Sequence, residues 1–210
     1  MVLLKAGLIA RKMKSANNVI FLTDLQREKV EKVLMLVYNS NSIIKEFFGV
    51  SSSFDVVICR GYWEMELQNV SRRQDLLVRN YDVTRSTITD HHLKEIVIRY
   101  DTARFGDYLY GFIMGILSNV YTQQLKEGLA WHFTLHLTQS YRYVRPICPE
   151  WIEHYCIYPV NKLARIVGDD FLKDFALGRA SIQEELLPED IRQLFLPEEY
   201  FYKNKTRFHS

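Results

Sequence analysis

The sequence is poor in the features that mark several classes of protein. Its three cysteines, Cys59, Cys148 and Cys156, include no CxxC pair, so they do not resemble a disulfide framework or a zinc ribbon. The formal net charge is only +2, too small to indicate a nucleic-acid partner or a membrane-surface protein. No GxGxxG, GxxxxGKS/T or GxSxG pattern occurs, so phosphate-binding loops and serine-hydrolase elbows have no support. Three thiols without a pairing pattern predict a reducing, cytoplasmic location.

The length and the opening segment are those expected of one soluble domain. The chain has 210 residues, 48% of them hydrophobic, which is enough to bury a core. The opening MVLLKAGLIARKMKSANN carries no acidic side chain, and Lys5 and Arg11 break its apolar runs. These runs are too short for a signal-peptide core. We predict an amphipathic first helix here, with an organelle presequence as the alternative.

The most apolar segment is YLYGFIMGILSNVY, Tyr108 to Tyr121. It falls short of the roughly 20 residues that a membrane-spanning helix needs. We therefore predict a buried central helix and no membrane span. Gly111 and Gly115 lie four residues apart, and the missing side chains predict close contact with a neighbouring helix.

Periodicity and turn signals predict an α+β protein, mainly helical, with a small sheet in the N-terminal third. The best strand is Phe54–Cys59, because it is short, β-branched and bounded by serine and glycine. A second extended segment is expected at about Leu76–Val83. Helices are expected in several places: about Asp24–Tyr38, ended by Asn39–Ser42; Tyr62–Val70; a helix opening on His91; about Gln124–Ser140; and two pieces that meet near Gly168. We predict a single domain over residues 1–210, with a polar tail at about 188–210.

Two histidines and a glutamate stand close together in DHHLKEIVIRY, Asp90 to Tyr100. Residues four apart share one face of a helix, so a helix here would point His91 and Glu95 the same way. Imidazole and carboxylate are both zinc ligands, so this pair is suited to hold one Zn²⁺ ion. His92 would lie beside the metal.

A third ligand is predicted at Glu127, in the sequence EGLA. In gluzincin zinc metallopeptidases an HExxH helix supplies two histidine ligands and a water-activating glutamate. A glutamate on a second helix, often in an EGxA sequence, completes the site. HHLKE and EGLA resemble this order, with the strand FDVVIC before them and LARIVGDDFLKDF after them. The chain from about Phe47 to Gly178 is therefore similar to a minimal gluzincin domain.

The resemblance implies an eroded active site. Against HExxH, His91 matches, His92 replaces the glutamate, and Glu95 replaces the second histidine. The expected zinc ligands are His91, Glu95 and Glu127, with His92 as a neighbouring acid or base. The water-activating glutamate of the family is missing. We therefore expect a zinc-dependent hydrolase that is weak or inactive, with a peptide or protein as its substrate or partner.

Other structures remain open for the same residues. In an ordinary helix, Asp90 would act as the cap, Leu93, Ile96 and Val97 would pack inward, and the histidines would face solvent.

A second pair, His132 and His136, is also four residues apart. With Glu127 or His91 this pair could form a metal site between two helices. Alternatively, both histidines are partly buried and hydrogen-bonded.

A different class of function also remains open, a non-catalytic intracellular protein-interaction module. Its helices and the Tyr/Arg-rich segment Ser140 to Pro146 would then bind another protein. Stacking of these aromatic rings on single-stranded nucleic acid is not expected at this net charge. An enzyme requires His91, Glu95 and Glu127 to converge in a cleft, whereas a binding module does not.

Overall fold

A computed structural model describes residues 11–15, 18–22, 27–61, 86–91, 93–118, 121–144, 146, 148 and 150–197. Contacts group the chain into two compact units. The sheet unit comprises Met1–Gly115 and Tyr143–Ile147, and the helical unit comprises Ile116–Arg142 and Cys148–Ser210. The α+β, mainly helical class is confirmed. The expectation of a single domain stays a prediction.

The sheet unit is built on five strands: β1 (Arg11–Ser15), β2 (Asn18–Leu22), β3 (Asp55–Cys59), β4 (Thr87–Asp90) and β5 (Glu95–Arg99). Their order is β1-β2-β3-β5-β4. The outer pairs are antiparallel, whereas β2, β3 and β5 run parallel. In β3 and β5 the central residues are apolar, and every residue after the first is buried, as expected of strands covered on both faces. The predicted small sheet is confirmed. Its last strand in the chain, β5, ends at Arg99, later than the N-terminal third in which the sheet was expected.

The first described helix, α1 (Arg27–Phe48), continues through the polar run Asn39–Ser42. The predicted end near residue 38 is therefore wrong. The Ser40 hydroxyl donates to the helix carbonyl four residues earlier at 2.7 Å. The Asn41 side chain accepts from the backbone N–H of Ser52 at 3.1 Å and donates to its carbonyl at 3.3 Å. Because these side chains find partners, the polar run does not end the helix.

The apolar segment forms a largely buried helix, α2 (Phe105–Ile116), as predicted. Its glycines, however, do not face another helix. A Cβ added at Gly111 would lie 2.6 Å from Ile96 Cγ2, and one at Gly115 would lie 2.8 Å from Ser52 Oγ. The glycines therefore let α2 approach the sheet and the loop before β3, and among the described residues these neighbours take the place of the expected helix. None of the described helices is long and apolar enough to span a bilayer.

The helical unit follows with short elements around one long helix. They are α3 (Gln123–Ser140), α4 (Glu150–Ile152), a π-helix (Glu153–Ile157), α5 (Tyr158–Val167), α6 (Asp169–Ala176), a 3₁₀ turn (Glu184–Leu186), α7 (Glu189–Arg192) and a last 3₁₀ turn (Gln193–Phe195). Gly168 separates α5 from α6 with a φ of 84°, a value that favours glycine. The predicted junction near Gly168 is confirmed.

The segment after Pro188 packs more closely than the predicted polar tail. Ile191 and Leu194 are buried. The Thr122 hydroxyl donates to the carbonyl of Leu194 at 2.5 Å, which ties the segment to the start of α3. The predicted elements Tyr62–Val70 and Leu76–Val83 lie outside the described residues. So do residues 198–210 and residues 1–10, the first part of the predicted opening helix. Its later part is wrong, because Arg11–Ser15 forms strand β1.

Candidate metal centre

His91 and Glu95 lie on a β-hairpin, not on one face of a helix. β4 ends at Asp90, His91, Leu93 and Lys94 lie in the turn, and Glu95 begins β5 and pairs with Asp90. The predicted helix opening on His91 is therefore wrong, and its one-turn spacing does not apply here. His92 lies outside the described residues, so its role as acid or base stays a prediction.

The local chemistry explains the hairpin. Asp90 Oδ1 accepts a hydrogen bond from the backbone N–H of Leu93, three residues on, at 3.0 Å, and this bond stabilises the turn. Lys94 adds a φ of 50°. The following Ile96–Ile98 are β-branched and fully buried between β3 and β4, an environment that favours a strand. Leu93, which an amphipathic helix would turn inward, is exposed.

Three carboxylates occupy neighbouring positions at this end of the sheet. Glu95 pairs with Asp90 in β4 and with Asp55 in β3. Cross-strand partners in an antiparallel pair lie on the same face of a sheet, so the side chains of Asp90 and Glu95 leave the same face. The ring of His91 packs edge-on against Phe54, with centroids 5.5 Å apart. The hairpin thus carries the acidic residues Asp90 and Glu95 and, at His91, a contact with the ring of Phe54.

Glu127 lies in α3, as predicted, and is only 1% exposed. Its Oε1 accepts a hydrogen bond from Gln123 Nε2, one turn earlier, at 3.1 Å. A buried carboxylate needs such donors because burial removes its hydration. Glu127 thus belongs to the interior of the helical unit, whereas His91 and Glu95 belong to the sheet unit.

The glycine of EGLA has a packing role. A Cβ added at Gly128 would lie 2.6 Å from the Cys156 carbonyl oxygen and 2.6 Å from Val160 Cγ2. α3 therefore lies directly against the backbone of the π-helix, and only glycine leaves room for this approach. The EGLA sequence has a structural cause that does not involve a metal.

The π-helix also has an identifiable cause. Pro159 has no N–H, so the carbonyl of Tyr155, four residues earlier, cannot receive the usual helical hydrogen bond. Gln124 Nε2 donates to this carbonyl at 2.9 Å. The bond gives this carbonyl a side-chain donor, and it joins α3 to the π-helix.

The predicted ligands do not form a metal site in the part of the chain that is described. Among those residues, no group of three or more His, Cys, Asp or Glu side chains is placed to hold a metal ion. This covers His91, Glu95 and Glu127, and also the alternative set built on His132 and His136. Zinc binding by these side chains stays a prediction.

Helix α2 directly precedes the EGLA helix in the chain, and it carries a different set of side chains from HExxH. Its sequence FGDYLYGFIMGI contains no histidine, cysteine or glutamate. Tyr108, Tyr110, Phe112 and Met114 are buried. Aromatic rings and aliphatic chains therefore fill the interior face of this helix.

The single acid of α2, Asp107, caps the helix. Its Oδ2 accepts from the backbone N–H of Arg104 at 2.7 Å, and its own N–H donates to the Arg104 carbonyl at 2.9 Å. Burial raises the pKa of Asp107 to about 6, although the hydrogen bond and the charge of Arg104 oppose this rise. Burial also raises the pKa of Tyr108, assisted by Tyr100 and Asp107. Sequence analysis did not single out Asp107 and Tyr108, although an acidic residue in the first turn of a helix is a signal that could have identified Asp107.

His132 and His136 have different surroundings. His136 is exposed. His132 is largely buried, and its Nδ1 lies 2.7 Å from Asn161 Oδ1 in α5. Its Nε2 lies 3.8 Å from Asp169 Oδ1 at the start of α6. The alternative of a partly buried, hydrogen-bonded histidine is confirmed for His132. No sequence spacing connects these three residues, because separate helices carry them.

Comparison with known proteins adds no relative to this description. No protein-family model matches the chain, and no curated protein matches its sequence.

Proposed function

We propose that the chain is a metallopeptidase-like protein with an eroded zinc site and little or no peptidase activity. One observation carries the proposal. In the gluzincin order, the helix before the EGxA helix supplies HExxH, and here that helix is α2, whose sequence FGDYLYGFIMGI has no zinc-binding histidine. Imidazole ligands and a water-activating glutamate are the core of that chemistry.

The hairpin at His91 supports the same proposal. HExxH chemistry relies on helical spacing to aim two ligands at one ion, and Glu95 instead begins a strand opposite Asp90. Glu127 is retained on α3, where its bond to Gln123 gives it a role in the scaffold.

Metal content and peptidase activity of the purified chain test this proposal. We expect at most weakly held zinc that dialysis removes, little change in thermal stability with a chelator, and little or no cleavage of a broad peptide library. Glu127→Gln preserves the shape of the side chain and should leave all three results unchanged. His136→Ala is the exposed control. One tightly bound zinc per chain that is lost in Glu127→Gln and His91→Ala, but kept in His136→Ala, would overturn the proposal.

A protein-interaction role is the second candidate, and it fits a cytoplasmic location in which the thiols of Cys59 and Cys156 stay reduced. Three large apolar side chains of α5 and α6 face solvent: Tyr158 is 58% exposed, Ile166 57% and Phe171 40%. Exposed apolar side chains mark binding surfaces where they form a contiguous patch. Their common location on two consecutive helices favours a protein or peptide partner.

Site-specific crosslinking in cells tests this second candidate. A photoreactive phenylalanine at position 158, 166 or 171 should capture one protein of defined mass. The same group at exposed Glu185 should not capture it. Equal capture at all four positions, or none, would count against an interaction surface here.

A further inference from the structure

His132 connects three helices of the helical unit through its two ring nitrogens. It lies on α3, Nδ1 contacts Asn161 of α5 at 2.7 Å, and Nε2 faces Asp169 of α6 at 3.8 Å. The His132 side chain is only 13% exposed, whereas that of Asp169 is 60% exposed. A largely buried titratable group thus lies between a neutral hydrogen-bond partner and a charged one.

The chemistry of Asn161 fixes the tautomer of the neutral ring. An amide Oδ1 only accepts hydrogen bonds, so Nδ1 must carry the hydrogen in the 2.7 Å contact. Nε2 of neutral His132 then presents its lone pair towards the Asp169 carboxylate, and the two acceptors repel each other. A proton on Nε2 converts this repulsion into attraction between opposite charges.

We propose that His132 is a proton-sensitive joint in the helical unit. In its neutral form it bonds α5 through Asn161. On acidification Nε2 takes up a proton and pairs with Asp169, so that α3 becomes tied to α6 as well. The joint thus responds to pH by changing which helices the imidazole holds.

Among the described residues, two other titratable groups act on His132, namely His136 and Asp169. Burial lowers the pKa of His132, His136 on the same helix lowers it further, and Asn161 and Asp169 raise it. α3 also packs against the π-helix, α5 and the last 3₁₀ turn.

The other charged side chains described on the π-helix, α5 and α6 form ion pairs or are exposed. Lys162 of α5 is paired with Asp190, and Asp170 of α6 with Lys173. The π-helix residues Glu153 and His154 are exposed. The last 3₁₀ turn has the sequence QLF, without charge. Asp169 is therefore the acid that faces the imidazole.

The direction of the stability effect follows from the lowered pKa. The unfolded chain takes up a proton near 6.5, whereas folded His132 does so at a lower pH. Its contribution to stability is therefore present above pH 6.5 and is lost as the pH falls towards the folded pKa. Pairing with Asp169 limits this loss, so removing the carboxylate should enlarge it.

Nitrogen-15 NMR of the full chain tests the tautomer. At pH 8 we expect the Nδ1–H form of His132. The Nε2–H form would overturn the proposal, because its Nε2 would already donate to Asp169.

Asp169→Asn tests the pairing, and Asp170→Asn is the matched control. Both acids lie in the first turn of α6, but Asp170 is bonded to Lys173. Asp169→Asn should lower the pKa of His132 by about 0.5, a modest shift because the carboxylate is largely exposed. Asp170→Asn should leave it unchanged.

The same variants have a stability readout. As the pH falls from 7.5, the unfolding equilibrium constant of Asp169→Asn should rise more than that of the unaltered protein, and the difference should reach about threefold once the pH is below the folded pKa of His132 in both proteins. Asp170→Asn should follow the unaltered protein. Identical behaviour of the two variants, or no change in Asp169→Asn, would show that the imidazole and the carboxylate are not coupled.

Discussion

The sheet unit and the helical unit each bury a titratable side chain, but with opposite consequences for their response to acid. In the sheet unit, burial raises the pKa of Asp107 to about 6. In the helical unit, burial lowers the pKa of His132 from its ordinary 6.5. Burial disfavours the charged form in both cases, and the charged form is the base of Asp107 but the acid of His132.

The two units should therefore gain and lose stability in opposite directions over the same pH range. The folded pKa of Asp107 lies above its ordinary 3.8, so its contribution is present below about pH 4 and is lost as the pH rises through 6. The contribution of His132 is present above 6.5 and is lost as the pH falls. A single stability curve for the whole chain would conceal this compensation, so variants that act on one unit are the way to separate the two effects.

The largest expected effect comes from removing the buried charge of the sheet unit. Asp107→Asn keeps an oxygen for the Arg104 N–H but cannot ionise. A pKa rise from 3.8 to about 6 corresponds to about 2–3 kcal/mol of pH-dependent stability. The variant should therefore lose the decline in unfolding free energy that the unaltered protein shows between pH 4 and 7. Chemical denaturation at several pH values measures this.

The control is Asp174→Asn, an exposed acid of the helical unit with only a long pair to Arg179. It should retain the full pH dependence. Parallel curves for Asp107→Asn and the unaltered protein would mean that Asp107 is not desolvated, and the contrast between the units would disappear.

The next effect compares a glycine from each unit. In the helical unit, a Cβ at Gly128 would meet the Cys156 carbonyl, whereas in the sheet unit a Cβ at Gly111 would meet methyl groups of Ile96 and Thr87. A backbone carbonyl cannot rotate away as a side chain can. Gly128→Ala should therefore cost about 2 kcal/mol and Gly111→Ala about 1 kcal/mol, after the gain in helix propensity.

Thermal or chemical unfolding measures both changes. Gln139→Ala, on the exposed part of α3, is the control and should be nearly neutral. Equal costs for the two glycine variants would argue against the backbone contact of α3 with the π-helix.

The smallest effect compares two capping oxygens. Thr122 Oγ1 accepts from the Leu125 N–H in the helical unit and donates to the Leu194 carbonyl. Asp90 Oδ1 accepts from the Leu93 N–H in the sheet unit. Thr122→Ala should cost about 1 kcal/mol and Asp90→Ala about 0.5 kcal/mol, because the threonine makes two bonds and the hairpin turn is exposed.

Thr122→Ser and Asp90→Asn keep the capping oxygens. In urea denaturation their unfolding free energies should be close to that of the unaltered protein and higher than those of the alanine variants. A cost for Asp90→Ala as large as that for Thr122→Ala would mean that the hairpin depends more on its cap than on the buried strand that follows.

Sequence reasoning succeeded where one local pattern dominates. Phe54–Cys59 was predicted as a strand and forms β3, since its β-branched run is bounded by turn residues. Helix α3 was predicted within one residue at its start. The buried helix α2 was also predicted from its apolar sequence, although it begins and ends a few residues earlier than expected.

Sequence reasoning failed where local signals conflict. The segment after Asp90 contains both a helix-like cap and the β-branched run Ile96–Ile98. Ile96–Ile98 form a strand because they are buried between β3 and β4, and β-branched side chains pack well in a covered sheet. Likewise, the polar run Asn39–Ser42 has the composition of a segment that ends a helix. It stays helical because its side chains find hydrogen-bond partners, such as the bond between Asn41 and Ser52.

The sequence by itself determined the class of this protein, the buried strand β3, and the helices α2 and α3, because their apolar runs carry information about burial within a few residues. Only the tertiary structure decided the neighbours of those elements. It joined Asn161, His132 and Asp169 from three helices and placed Gly128 against the Cys156 carbonyl. Each of these contacts depends on residues that meet only when separate elements pack, and no spacing along the chain encodes such a meeting.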